Sequence, residues 1–332
     1  MKICIVGAGA IGGYLGAKLA LAGEEVTLIA RGAHLEGIQT KGLKLVMADG
    51  EEQVIKDVFA TSDMSDVEPQ DVAILALKAH SVPAIAPAMR SLYGSETMVV
   101  TAQNGIPWWY FRKHGGEFEG QRIQSVDPDG IVEANIEIDR VIGCVVYPAA
   151  ELPEPGVVRH IEGNRFTLGE LDGSKSDRIQ LLSKTFSRAG LKSPVRTQIR
   201  SDIWVKLWGN LAFNPISALT HATLEDICRY PLTRELARNM MTEAQTIAER
   251  LGIEFGITLE QRINGAEKVG AHKTSMLQDI ETGRPTEVDA IVGAVAELGR
   301  LTNIPTPHID GIYASVKLLE KTLDHTIRVI DR

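Results

Sequence analysis

Lys206, Asn210 and Asn214 stand four residues apart in WVKLWGNLAFN, a segment otherwise filled with Trp, Leu, Val, Gly, Ala and Phe. Residues at that spacing share one face of an α-helix, so the three form a narrow polar stripe on an otherwise apolar cylinder. Such a helix is normally buried, and a buried ammonium or carboxamide is costly without partners. The stripe therefore faces either bulk water or a cavity that holds something polar. In the second case the chemistry is proton donation. A lysine in a partly apolar cleft has its pKa drawn down toward the working pH, and it can protonate the alkoxide that forms when hydride reaches a carbonyl carbon. Asn210 and Asn214 would line the same wall with donors and acceptors for substrate oxygens.

Downstream, HKTSMLQDIETGRPTEVD holds two further candidates. Ser275 offers a hydroxyl and a backbone N–H, both suited to a carboxylate, and Glu287 offers an acceptor for a substrate hydroxyl. Each also has a plain reading: Ser275 as a helix cap, Glu287 as an early-helix acid favoured by the dipole.

A hydride donor is suggested at the other end of the chain. The apolar run Ile3–Val6 leads straight into GAGAIG, with Gly7, Gly9 and Gly12 in the spacing G-x-G-x-x-G; a helical stretch ending at Gly23 and a second strand, Val26–Ala30, follow. In that context the glycines have separate tasks: a tight turn, a close approach for a pyrophosphate, and close packing of helix on sheet. Backbone N–H groups at the helix start, around Ala10 and Ile11, would face the phosphates. NAD sites usually place Asp or Glu at the end of the second strand. Here Ala30 and Arg31 stand there instead. A guanidinium suits a 2′-phosphate, which favours NADP(H); an arginine that is merely exposed is the alternative.

These groups need elements to hold them. Further strands are expected at Val72–Leu77, Met98–Ala102, Val141–Tyr147 and Arg165–Gly169, with a helix around Ala84–Leu92. Alternation of this kind indicates a largely parallel, doubly wound α/β sheet whose ligands sit beyond the carboxyl ends of the strands. Lys78 and Asn104 each fall just past such an end. From about Gln198 the periodicity is helical throughout, so a boundary is expected near residue 197, with residues 1–197 as a nucleotide domain and 198–332 as a helical substrate domain. The segment Gly115–Pro155 has no clear assignment.

Composition limits the function classes. At 332 residues with 44% hydrophobic and 23% charged residues, the chain has an ordinary globular makeup. A net charge of −8 argues against a general nucleic-acid binder. No window approaches a membrane span, and the N-terminus does not have the layout of a signal peptide, so a cytoplasmic protein is expected. Cys4, Cys144 and Cys228 show no paired spacing and read as buried hydrophobes. His34, His80, His160 and His221 show no metal-ligand spacing, so no metal is expected. The sequence does not give the oligomeric state; the apolar faces of the helical half are compatible with a two-fold homodimer, the commonest closed assembly.

These residues carry a resemblance. The chain is similar to the ketopantoate reductase (2-dehydropantoate 2-reductase) family over nearly its full length. The resemblance rests on GAGAIG with Arg31, LK at Lys78, QNG at Gln103–Gly105, K-x-x-x-N-x-x-x-NP at Lys206–Pro215, SMLQD at Ser275–Asp279, TEVD at Thr286–Asp289 and IPTP at Ile304–Pro307. It implies a Rossmann-type NADPH domain joined to an all-helical C-terminal domain, with the active site between them and the polar stripe lining that cleft. It implies Lys206 as general acid, Glu287 as the group that binds the substrate hydroxyl and helps set the lysine's charge, Asn104 near nicotinamide and substrate, and Asn210, Asn214 and Ser275 on the substrate. The implied reaction is NADPH-dependent reduction of a 2-oxo acid, with 2-dehydropantoate to pantoate as the first expectation. A dehydrogenase for another oxo or hydroxy acid, and a non-catalytic NADP-binding regulator, are the alternatives; Lys206 together with Glu287 counts against the regulator. Family members carry asparagines where this chain has His272 and Leu224. The aromatic run Trp108–Phe111 after QNG is a further departure, read either as core packing or as a reshaped substrate site.

Overall fold

In the computed structural model, residues 1–330 are described, with side chains to 323; the last two positions of the expected helical domain lie outside the described residues. The chain divides into two compact units. The first comprises Met1–Gln103, Pro107–Arg122 and Asp127–Ile199; the second comprises Arg200 onward together with Asn104–Ile106 and Ile123–Val126. Those two short segments belong with the helical half although they fall far before residue 197.

The strands all lie in the first unit: β1 (Lys2–Val6), β2 (Glu25–Ile29), β3 (Leu43–Val46), β4 (Glu52–Ile55), β5 (Phe59–Thr61), β6 (Gln70–Leu75), β7 (Tyr93–Thr101), β8 (Val141–Val146), β9 (Ala149–Glu154), β10 (Val157–Glu162) and β11 (Phe166–Glu170). Its helices are α1 (Ala10–Leu21), α2 (Gly32–Lys41), α3 (Val82–Ile85), α4 (Ile131–Asn135) and α5 (Asp177–Arg188). Seven strands form one sheet in the order β11-β8-β7-β6-β1-β2-β5, parallel except for β11 against β8. Ile3, Cys4, Ile5 and Val6 of the central β1 are all buried, as a strand covered on both faces requires. LKSPVRT runs beside β11 through bridges at Arg165–Lys192 and Leu168–Val195.

A second, four-stranded sheet, β4-β3-β10-β9, stands beside the expected one. It packs on α1, where Tyr14 stacks on His160 with ring centroids 4.6 Å apart. A Cβ at Gly13 would fall 2.7 Å from Val158 Cγ2, so this helix can approach the sheet only with glycine at that point. The helix expected over Ala84–Leu92 is instead the short α3 followed by a 3-10 segment, Ala86–Leu92. Pro83 and Pro87 lack the N–H donors that an extended α-helix would use.

The second unit is helical: α6 (Ile199–Thr220, whose first residue still belongs to the first unit), α7 (Leu224–Arg229), α8 (Pro231–Arg250), α9 (Leu259–Lys268), α10 (Ser275–Glu281), a π turn at Asp289–Gly293, α11 (Ala294–Thr302) and α12 (Pro307–Ile330). The apolar faces of α6 are buried through Trp204, Leu207, Trp208, Leu211, Phe213 and Ile216. The Trp208 indole donates to the Met241 carbonyl at 2.7 Å, satisfying the one polar atom that burial of a tryptophan strands.

Candidate active site

In the first unit the glycine turn follows β1, Arg31 follows β2 and Lys78 follows β6. These are three neighbouring parallel strands, so all three groups stand at their carboxyl ends. The turn is pinned to β2 because the N–H groups of Gly7 and Ala8 both donate to the Ile29 carbonyl, at 3.2 and 2.9 Å. The three glycines meet different surroundings. Gly7 has φ +101°, a conformation that side chains resist. Gly12 lies so close to the Gly7 carbonyl and to Ala76 that no Cβ fits. At Gly9 a Cβ would meet nothing within 4 Å. An open flank at the second glycine, beside the start of α1, is what a dinucleotide pyrophosphate requires, and Ala10 and Ile11 begin that helix. The residues therefore fit a dinucleotide.

Arg31 is exposed and Lys78 half-buried. His34, three residues beyond Arg31, accepts the Gly156 N–H on Nδ1 at 3.0 Å. Burial lowers its pKa, against a smaller opposite pull from the Ala8 backbone.

In the second unit three of the expected residues form one chain of hydrogen bonds. Lys206 Nζ donates to Asn104 Oδ1 at 2.6 Å, and Asn104 Nδ2 donates to Glu287 Oε2 at 3.0 Å. The carboxamide thus links ammonium to carboxylate, accepting from one and donating to the other, which fixes which way it points. Asn104 is held by its neighbours. The Ile106 N–H donates to the Ala290 carbonyl at 2.9 Å. Gly105, at φ +85°, lies against the same peptide group, with the Ala290 carbonyl carbon 2.6 Å from where a Cβ would stand. Ala290 belongs to the π turn, in which the Ala294 N–H reaches back five residues to Asp289. Irregular turns of this kind are frequent at functional sites.

Along α6, Lys206 and Asn210 are half-buried and Asn214 is buried. Ser275 is the exposed first residue of α10 and takes no part in the Lys206–Asn104–Glu287 chain; the helix cap there is Thr274, whose hydroxyl accepts the Leu277 N–H. Trp108, Trp109, Tyr110 and Phe111 are all buried in the first unit, and Trp109 donates to Thr101 Oγ1 at 2.8 Å. The aromatic run is core. The Leu224 N–H donates to the His272 carbonyl at 3.0 Å, so those two positions are spatial neighbours.

Several supporting residues went unread in the sequence. Glu297 accepts the N–H groups of Gln124 and Ser125 and the Ser125 hydroxyl at 2.7, 2.9 and 2.6 Å, tying the segment Ile123–Val126 to α11. Only Gly105 carried a signal, as the glycine of QNG.

A glycine turn on a doubly wound sheet, combined with a lysine–amide–carboxylate chain in a helical unit, defines a class: an oxidoreductase on a dinucleotide-type fold. Comparison with known proteins agrees. Residues 3–173 match the family model "Ketopantoate reductase PanE/ApbA" and residues 198–320 match "Ketopantoate reductase PanE/ApbA C terminal". A 2-dehydropantoate 2-reductase of Mesorhizobium japonicum is 56% identical over 320 residues, covering 96% of this chain and 98% of its own. A family structure from Ralstonia solanacearum MolK2 superposes with a TM-score of 0.92 at 43% identity, covering 97% of this chain and 98% of the other. D-mandelate dehydrogenase in ternary complex with NADH and anilino(oxo)acetate gives a TM-score of 0.83 at 25% identity, covering 98% of this chain and 100% of the other. The chain belongs to the ketopantoate reductase family.

Proposed function

We propose that the protein reduces a 2-oxo acid to the corresponding 2-hydroxy acid with NADPH, and that the substrate is 2-dehydropantoate, giving pantoate. The observation that carries this is the chain Lys206–Asn104–Glu287. Gly7, Gly9, Ala10, Ile11 and Gly12 would hold the pyrophosphate, Arg31 the 2′-phosphate, and Lys78 and Asn104 further parts of the cofactor. NADPH, when bound, supplies the hydride that adds to C2 of the oxo acid.

As C2 gains hydride, its oxygen gains charge, and Lys206 Nζ delivers the proton that completes the hydroxyl. Asn104 accepts one of the three ammonium N–H bonds, which leaves the lysine oriented for transfer. Glu287, at the other end of the carboxamide, favours the charged lysine and accepts the substrate hydroxyl. Asn210, Asn214 and Ser275 bind the substrate oxygens. The protein is cytoplasmic in this reading, and a homodimer is compatible with it. The amide-free pair Leu224 and His272 favours testing other 2-oxo acids alongside, as does the structural likeness to D-mandelate dehydrogenase.

The test is oxidation of NADPH and of NADH by a panel of 2-oxo acids, with Lys206→Ala in parallel. Turnover of 2-dehydropantoate with NADPH, lost by about 100-fold or more in the variant, is the expected result. Tight NADPH binding with no turnover of any 2-oxo acid would leave the regulator reading in its place.

A further inference from the structure

Glu287 sits on a short stretch of chain whose neighbours are gripped by one face of α12. Tyr313, Lys317 and Glu320 share that face by their spacing. Glu320 Oε1 accepts both the backbone N–H and the hydroxyl of Thr286, at 3.0 and 2.7 Å. Thr286 is buried, and its hydroxyl in turn accepts the Val288 N–H at 3.2 Å. On the other side of Glu287, Asp289 accepts from the Tyr313 hydroxyl at 2.6 Å and from Lys317 Nζ at 3.0 Å. Lys317 also reaches Glu320 Oε2 at 3.5 Å, closing the set. The Tyr313 ring lies against Gly293, the last residue of the π turn, 3.0 Å from where a Cβ would stand. Burial and the Asp289 carboxylate push the phenol well above its ordinary range, so it remains a donor.

We propose that Glu320 is a positioning residue for Glu287, with Tyr313 and Lys317 completing the anchor. This rests on the functional reading above, in which Glu287 must face Asn104 and Lys206. A carboxylate on a loop swings with its backbone; here the residue before it and the second residue after it are each tied by two hydrogen bonds to a single helix. Removing Glu320 leaves a buried N–H and hydroxyl at Thr286 without their acceptor, and that strain falls on the residue next to Glu287.

The test compares Glu320→Ala, Glu320→Gln and Thr286→Val in kcat, KM for NADPH and melting temperature. Glutamine keeps the Oε1 acceptor, and valine removes the hydroxyl half of the clasp together with the acceptor of the Val288 N–H. Expected are a kcat loss of up to about 100-fold in Glu320→Ala with KM for NADPH held, a smaller loss in Thr286→Val, and recovery of most activity in Glu320→Gln. Wild-type kcat in both Glu320→Ala and Thr286→Val overturns the proposal, as does a Gln variant as slow as the Ala variant. Should Glu320→Ala fail to fold, Thr286→Val carries the comparison. If the wild type reduces no 2-oxo acid, the functional reading falls, and crystals of Thr286→Val decide the anchor separately: an Asn104–Glu287 pair parted beyond hydrogen-bonding distance supports it, and an unchanged pair refutes it.

Discussion

Gly105→Ala offers a direct measure of how tightly the reacting groups are held. Gly105 occupies φ +85°, where a Cβ would overlap the Ala290 peptide group, its carbonyl carbon standing only 2.6 Å away. Two costs follow. The left-handed conformation disfavours alanine by roughly 1–2 kcal/mol. Relief of the overlap pulls the Ile106 N–H off the Ala290 carbonyl, and that donor belongs to a residue only 1% exposed. Leaving it unmet costs about 1–3 kcal/mol. Together the variant should lose about 2–5 kcal/mol from the unfolding of the helical unit. Because Asn104 is the adjacent residue, the same displacement lengthens its bonds to Lys206 and Glu287, and kcat should fall by up to about 100-fold. Urea unfolding followed by tryptophan fluorescence and circular dichroism gives the first quantity, and steady-state turnover the second. A variant with wild-type unfolding free energy and kcat would refute both the clash and the role of the Ile106–Ala290 bond.

Two other perturbations read the first unit. Gly12→Ala should destabilise the fold strongly, because its Cβ meets the Gly7 backbone, whereas Gly9→Ala should leave the melting temperature of the unliganded protein unchanged and weaken NADPH by more than about tenfold, as calorimetry would show. For His34, whose folded pKa lies below its ordinary 6.5, the unfolded chain binds the extra proton first as pH falls. Its contribution is therefore intact above pH 6.5 and is lost as pH drops from there through the folded value, so the stability gap between wild type and His34→Gln should narrow or reverse between pH 7.5 and 5 in denaturant titrations.

The glycine turn was legible because its constraints are local: a tight turn, an open flank and a packed third residue follow each other within six positions. The polar stripe of α6 was legible for the same reason, since helix periodicity is a property of neighbours in sequence. The four-stranded sheet was not. Its centre is a parallel pairing of β3 with β10, joining Lys44–Val46 to Val157–Arg159, and nothing in either short run names the other. Nor could spacing reveal that Asn104 would bridge Lys206 to Glu287, which lie 102 and 183 residues away along the chain. The α12 anchor is not legible in the sequence because Tyr313, Lys317 and Glu320 look like the polar side of any amphipathic helix until Thr286 and Asp289 are beside them.

The backbone changes unit after residues 103, 106, 122, 126 and 199. The chain consequently passes between the two units five times. A fragment beginning at Arg200 would lack the two segments whose Asn104 amide, Ile106 N–H, Gln124 N–H and Ser125 N–H and hydroxyl are accepted by Glu287, Ala290 and Glu297. Recombination between relatives that exchanged only the chain after residue 199 would therefore pair one parent's Asn104–Ile106 and Ile123–Val126 with the other parent's Glu287, Ala290 and Glu297, inside a single unit.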